Sequence, residues 1–326
     1  MGLGVGATAG SGRCRADVWE TNMRFGVLGT LQVETTAGLV AIRAMRVRAL
    51  LAVLLLSAPQ VVSMERIVGG IWPVRPPRSA VDNVRTYVFQ LRSLFEQIDQ
   101  RDRLLSYPGG YCLAVEPEEV DLLRFQSLAD HGHRAVSAGD VATGRGLLEK
   151  ASTLWRDHPL PELELGAVVR ARTTALDEQY WRVRSDLIAA RLALGEHAEV
   201  VPTLYWLVGE RSLDEALWAQ LVTALYVSGR TGDALAALAT ARRTCREELG
   251  VDPGPELREL QAVVLDGGDL AKAPRRHQVA GDNAVLSATR ALPAAPRNLV
   301  GRQGELSRVE SLVGSGSPRP NLSVVA

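Results

Sequence analysis

Lysine, cysteine and histidine are scarce in this chain, and the scarcity of the last two closes off classes of function. The three cysteines, Cys14, Cys112 and Cys245, are odd in number and far apart, so neither a disulfide framework nor a metal knuckle is suggested. Among the five histidines, His131 and His133 lie two apart, which turns them to different faces of a predicted helix; a solvated helix is the plainer reading. Lysine occurs only as Lys150 and Lys272 among 37 basic residues, a statement about GC-rich codons and not about function. No apolar run reaches the length of a membrane span, and the longest, Ala49 to Leu56, has the length of a buried helix segment. The first residues hold no apolar stretch of the kind a signal peptide needs, so the expected compartment is the cytoplasm. No Ser-His-Asp, Cys-His or paired-carboxylate constellation recommends itself, and the chain is read as a non-enzyme with no cofactor and no metal.

What is present is an ordinary globular composition, 46% hydrophobic and 23% charged over 326 residues, with room for two modest domains and a tail. The net charge of zero conceals a split. Residues 23–116 carry eleven basic and seven acidic residues, residues 117–265 carry sixteen and twenty-three, and residues 266–326 carry eight and five. A basic block beside an acidic one suits a chain of which one part meets a polyanion and another does not.

Residues 1–22 are rich in glycine and alanine and read as a disordered extension, with Met1 and Met23 both candidate starts. From Met23 the texture changes. Arg24–Leu28 and Leu31–Glu34 read as strands, and Leu39–Ile42 as a third. Arg46–Leu56 is a helix stopped by Pro59. Ser63 caps a short second helix, although Arg66 stands where a capping box has Glu. Trp72, Pro73, Pro76 and Pro77 break the chain before Ser79 opens a third helix, whose apolar face is Val81, Val84, Val88, Leu91 and Phe95. Leu104–Tyr107 and Tyr111–Val115 flank Pro108-Gly109-Gly110 as strand, tight turn and strand. The order is strands, three helices, hairpin.

From Val120 to Leu265 the pattern is helical throughout. Three helix ends close on a glycine before a second helix, at Gly139, Gly195 and Gly229. The last two are 34 residues apart, the tetratricopeptide period, whereas the first interval is 56, so the array is irregular. Gly250 closes another helix and Pro255 opens the next. Trp155, Trp181, Trp206, Trp218 and Tyr226 read as core. Residues 266–296 are a Pro/Ala/Arg/Gly linker, and an ordered-looking segment begins at Arg297. The fold class expected is mainly α: an N-terminal winged helix-turn-helix over 23–116 and a tetratricopeptide-like helical domain over 117–265.

From Met23 to Leu265 the chain resembles the Streptomyces antibiotic regulatory protein family. The match runs through Met23–Gly29, Arg48–Leu56, Val61–Ser63, Ile71-Trp72, Asn83–Arg92 and Pro108–Tyr111. It continues through Leu225–Arg230, Ala234-Leu235, Glu247–Gly250 and Pro253–Leu257. The resemblance implies an OmpR-like winged helix joined to a bacterial transcriptional activation domain. It further implies an activator of secondary-metabolite gene clusters that binds direct repeats in double-stranded DNA upstream of promoters and recruits RNA polymerase, with two protomers on DNA. Arg297–Leu306 and Leu322–Val325 look like the opening of the signal-transduction ATPase domain of larger members, but the sequence stops before any phosphate-binding glycine loop, so no ATP site is assigned.

By the family pattern the groove-facing positions of the third helix are Asn83, Thr86, Tyr87 and Gln90. Glutamine pairs bidentately with adenine and threonine offers a methyl to thymine. Arg85, Arg92, Arg46 and Arg48 are candidate phosphate contacts, and Gly109, Gly110 and Tyr111 of the wing approach the backbone or minor groove. The family often has Ser-Arg where this chain has Phe89-Gln90. Without the resemblance, a helix with an apolar stripe and a few arginines is usually an ordinary amphipathic helix. The competing reading is a helical-repeat interaction scaffold without sequence-specific DNA binding.

Overall fold

The run expected to be helical from Arg46 to Leu56 forms α1, Met45–Ser57, and lies at the centre of the N-terminal half. Nine of its thirteen residues are buried, on every side of the helix, because it is apolar all round. It packs against the second helix, α2 (Met64–Ile71), the third, α3 (Ala80–Gln97), and the last strand of the hairpin. The computed structural model describes residues 23–268. The extension expected over 1–22, nearly all of the linker 266–296, and the segment read as the start of an ATPase domain lie outside the described residues.

Two small antiparallel sheets flank α1. The first is β1 (Arg24–Gly26), β2 (Gln32–Thr35) and β3 (Gly38–Leu39), with Phe25 opposite Val33. The second has β6 (Gly110–Leu113) in the middle, between β4 (Val62–Ser63) and β5 (Leu104–Tyr107). The strands are shorter than the sequence suggests. β1 ends at Gly26 because the next two backbone N–H groups, of Val27 and Leu28, donate to the carboxylate of Asp121 far along the chain. The third strand stops at Leu39, after which only Val40 N–H continues the pairing, to the Val33 carbonyl. Ser63 caps α2 as expected, its Oγ accepting the N–H of Arg66. Among the described residues Cys245 is free and buried.

Behind the hairpin come α4 (Asp121–Ser137), α5 (Val141–Thr153), α6 (Ala167–Ala193), α7 (His197–Glu210), α8 (Glu215–Val227), α9 (Thr231–Leu249) and α10 (Pro255–Leu265). The three glycine corners join α4 to α5, α6 to α7 and α8 to α9. Gly139, Gly195 and Gly229 have φ of +89°, +86° and +77°, the left-handed conformation that glycine adopts most easily. The closing bonds are equivalent at all three: Asp140 N–H to the Ala135 carbonyl, Glu196 to Arg191, Arg230 to Leu225. This six-residue closure satisfies carbonyls that the helix end would leave unpaired. The irregular first interval has a simple origin. A non-helical segment at 154–166 and a 27-residue α6 stand between Gly139 and Gly195.

The core does not divide where the hairpin ends. One apolar cluster runs from Met23 through α1, α3 and the hairpin into α4, α5 and α6, as far as Val183. A second begins at Ile188 and takes in α7 to α10. The long α6 therefore belongs to both, and at 1.5 Å per residue it is about 40 Å long. Of the aromatics read as core, Trp218 is buried, with its indole N–H donating to the Ser212 carbonyl. Trp155 and Tyr180 stack at 4.4 Å. Trp206 departs from that reading: it is half-exposed and stacks on Trp181.

Candidate nucleic-acid interface

The third helix owes its position to a stripe at Ala80, Val84, Val88, Leu91 and Phe95, spaced four, four, three and four apart, all buried. The sequence placed Val81 in this stripe, but Val81 is exposed. The spacing from Val84 back to Ala80 follows the helical repeat, and Val81 lies about 100° round the helix from Ala80. Opposite the stripe, Arg85, Thr86, Phe89 and Gln90 are all exposed, within hydrogen-bonding or van der Waals reach of anything laid along the helix. Arg85 pairs with Asp82 at 2.9 Å on open surface, an interaction worth about 0–1 kcal/mol and readily exchanged for a phosphate. The hydroxyl of Thr86 donates to the Asp82 carbonyl at 3.1 Å, which leaves its methyl group for a partner.

Asn83 and Tyr87 are half-buried. The Asn83 side-chain amide donates to Ser79 Oγ at 3.3 Å. The Tyr87 ring packs on Trp72, centroids 6.4 Å apart, and Arg46 lies over the other ring system partner of that pair, 5.7 Å from the Trp72 centroid. Arg46 also donates to the Ile71 carbonyl at 2.7 Å. This arginine, Trp72 and Tyr87 together fasten the turn between α2 and α3.

Three guanidiniums expected at phosphates are engaged within the protein. Besides Arg46, Arg48 is ion-paired with Glu162 from the segment before α6. Arg92 donates from Nε and Nη2 to the Leu104 carbonyl and from Nη2 to Ser106 Oγ, at 2.8–3.2 Å, tying α3 to β5. The wing glycines also differ from one another. Gly109 has φ +80° with open space where a Cβ would stand, as a tight turn requires. Gly110 is buried under β4, where a Cβ would come 2.3 Å from the Val62 carbonyl oxygen; its absence of a side chain lets β4 and β6 pair, Ser63 opposite Gly110. Tyr111 is half-buried, and the exposed tip is Ser106, Tyr107, Pro108 and Gly109.

The structure adds Arg75 and Arg78, both exposed in the turn that leads into α3. The sequence signal was there, an arginine on each side of Pro76-Pro77, but attention to the helix itself passes over it. Among the described residues no group of His, Cys, Asp and Glu could hold a metal, and no helix is long and apolar enough to cross a membrane.

Comparisons with known proteins bear on the family of the chain. Residues 120–265 match the bacterial transcriptional activator domain. The chain is 32% identical over 250 residues to the regulatory protein DnrI of Streptomyces peucetius, an alignment covering 74% of this chain and 92% of DnrI. It is 33% identical over 289 residues to the regulatory protein AfsR of Streptomyces griseus, covering 89% of this chain but 29% of AfsR; the chain thus spans less than a third of that relative. Among solved structures it is similar to EmbR of Mycobacterium tuberculosis, determined in complex with a low-affinity phosphopeptide, with a TM-score of 0.73 at 33% identity over 77% of this chain and 67% of that one. The chain belongs to the Streptomyces antibiotic regulatory protein family of transcriptional activators, with a small sheet-flanked winged helix ahead of a helical activator domain.

Proposed function

We propose that this chain is a sequence-specific DNA-binding activator of a secondary-metabolite gene cluster, which binds direct repeats upstream of promoters as two protomers and recruits RNA polymerase. The observation that carries the DNA-reading part is the face of α3. Four side chains of complementary chemistry stand exposed along a helix whose opposite side is fully buried, so the reading surface is held rigidly. Gln90 suits an adenine edge and Thr86 a thymine methyl. Arg85, Arg75 and Arg78 suit phosphates, and the tip of the wing suits the flanking backbone or minor groove. Asn83 and Tyr87 line the edge of that face, while Arg46, Arg48 and Arg92 serve it from behind by positioning. The regulatory names of the relatives support the activator reading, and the acidic helical half supplies a surface of its own for a protein partner.

The test is fluorescence anisotropy of the purified chain against duplexes from upstream of its own gene and neighbouring operons, across a salt series, with scrambled duplex as control. Tighter binding to one upstream fragment is expected, with log affinity falling by about 0.9 per phosphate contact for each decade of salt. Equal, weak binding to every duplex overturns the proposal.

A further inference from the structure

Phe89 is 71% exposed, the most exposed aromatic side chain among the described residues. It stands on the face of α3 that carries Arg85 four residues before it and Thr86 three before it, which places all three on one helix surface. Because the Thr86 hydroxyl is committed to the Asp82 carbonyl, its methyl and the Phe89 ring make a small apolar island, bounded by the Arg85 guanidinium and the Gln90 amide. Neighbouring turns of α3 do not cover it, and Val88 and Leu91, its buried neighbours in sequence, face the other way.

An island of one ring and one methyl is too small for a protein docking site, which needs a contiguous apolar patch of several side chains. It matches the one apolar feature that base-pair edges offer in the major groove, the C5-methyl group of thymine. We infer that Phe89 is a specificity-determining residue that packs against a thymine methyl, beside the base pair that Gln90 reads, so that the operator half-site holds a T·A pair under the middle of α3. The inference rests on the DNA-reading function proposed above. Its chemistry is selective because cytosine carries hydrogen where thymine carries the methyl, and a phenyl ring gains nothing from the exposed amino group of cytosine.

The experiment begins with selection of binding sites from a random duplex library by the full chain. Each thymine of the selected site is then replaced by deoxyuridine, which removes the methyl and nothing else, and affinities are measured for the wild type, Phe89→Ala, Phe89→Leu and Thr86→Ser. At one position the wild type should lose about three- to fivefold on removal of the methyl, the worth of one buried methyl group. Phe89→Ala should lose most of the difference between the thymine and uracil duplexes, Phe89→Leu should retain part of it, and Thr86→Ser should retain most of it at that position. Unchanged thermal midpoints confirm that the exposed substitutions leave the fold intact. A thymine preference undiminished in Phe89→Ala overturns the inference while leaving DNA reading in place, as does a Phe89→Ala variant altered only in self-association. Failure of the selection to yield any sequence overturns the DNA-reading function itself.

Discussion

At the scale of single residues, the arginines of the winged helix divide into two kinds that differ in what their removal should do. Arg92 makes three hydrogen bonds from α3 to the wing, two to the Leu104 carbonyl and one to Ser106. Arg92→Ala should destabilise the fold by about 1–3 kcal/mol, since it leaves a carbonyl without its charged donor, and should weaken binding to all duplexes by loosening the wing while leaving the salt slope nearly as it was. Arg78 is exposed ahead of α3. Arg78→Ala should leave stability within about 0.5 kcal/mol and reduce the salt slope by about 1. Urea unfolding together with affinity across a salt series separates the two, and identical slopes for both variants would sink the division. Gly166 is a different case. Its N–H donates to the Gly70 carbonyl at 2.8 Å, and a Cβ there would fall 1.7 Å from the Gly69 carbonyl oxygen. No rotamer relieves a backbone clash, so Gly166→Ala should separate the start of α6 from α2 and destabilise the chain by more than about 3 kcal/mol, a value at the far end of single substitutions. A Gly166→Ala chain with an unshifted urea midpoint would show that the approach of the two backbones is dispensable.

At the scale of elements, the join between the first sheet and α4 depends on Asp121. Its carboxylate accepts the N–H groups of Val27 and Leu28 and pairs with Arg156. Burial is the largest influence on this carboxyl and raises its pKa above the ordinary 3.8, against the weaker opposing pull of the two N–H groups and Arg156. A carboxyl that holds its proton more readily in the folded state than in the unfolded one is least favourable to the fold when charged. Its contribution therefore improves as pH falls through the raised pKa, is complete below 3.8, and is lost again as pH rises. Measured against Asp121→Asn, which does not titrate, the wild type should gain relative urea stability between pH 7 and about 4; a relative loss on acidification would reverse the assignment. The same join shows what the sequence could and could not disclose. The glycine corners, the serine cap at Ser63 and the stripe on α3 from Val84 to Phe95 were legible, because a positive φ, a cap and a helical repeat are each written within a few residues. The end of β1 was not, since its N–H partners come from Asp121, more than ninety residues away. Nor were the fates of Arg46, Arg48 and Arg92. An arginine beside a reading helix looks the same in sequence whether a phosphate or Glu162 awaits it, and only the fold brings Glu162 to Arg48.

At the scale of the whole molecule, the winged helix and the first helices behind it share one core, which changes what counts as a folding unit. Val120, Leu122, Phe125, Leu148, Leu165, Leu176 and Val183 are all buried in the cluster that also holds Phe25, Leu50 and Phe95. Arg103, wholly buried, is bridged by both carboxylate oxygens of Glu119 at 2.6 and 2.7 Å. Cutting between the hairpin and Glu119 would strip the partner from a buried guanidinium, a loss of about 3–5 kcal/mol, and uncover several apolar side chains at about 1.5–3 kcal/mol each. Together these rival the 5–15 kcal/mol that holds a domain folded. A fragment of residues 23–116 should therefore lack a cooperative thermal transition, whereas 23–195, which retains the whole first core, should melt cooperatively. Leu221→Ala in the second core should lower overall stability by about 2–5 kcal/mol and leave the melting of the first core unshifted. Calorimetry of the two fragments and this variant checks all three expectations, and a 23–116 fragment as stable as 23–195 would show the shared core to be dispensable. The consequence for function follows from the contacts. Glu162 holds Arg48, two residues along α1 from the Arg46 that supports Trp72, and Trp72 supports Tyr87 on α3. With the Gly166 N–H bond to the Gly70 carbonyl, these contacts tie the start of α6 to α2 and α3, so a partner that shifts α6 should alter the face of α3 proposed above to read DNA.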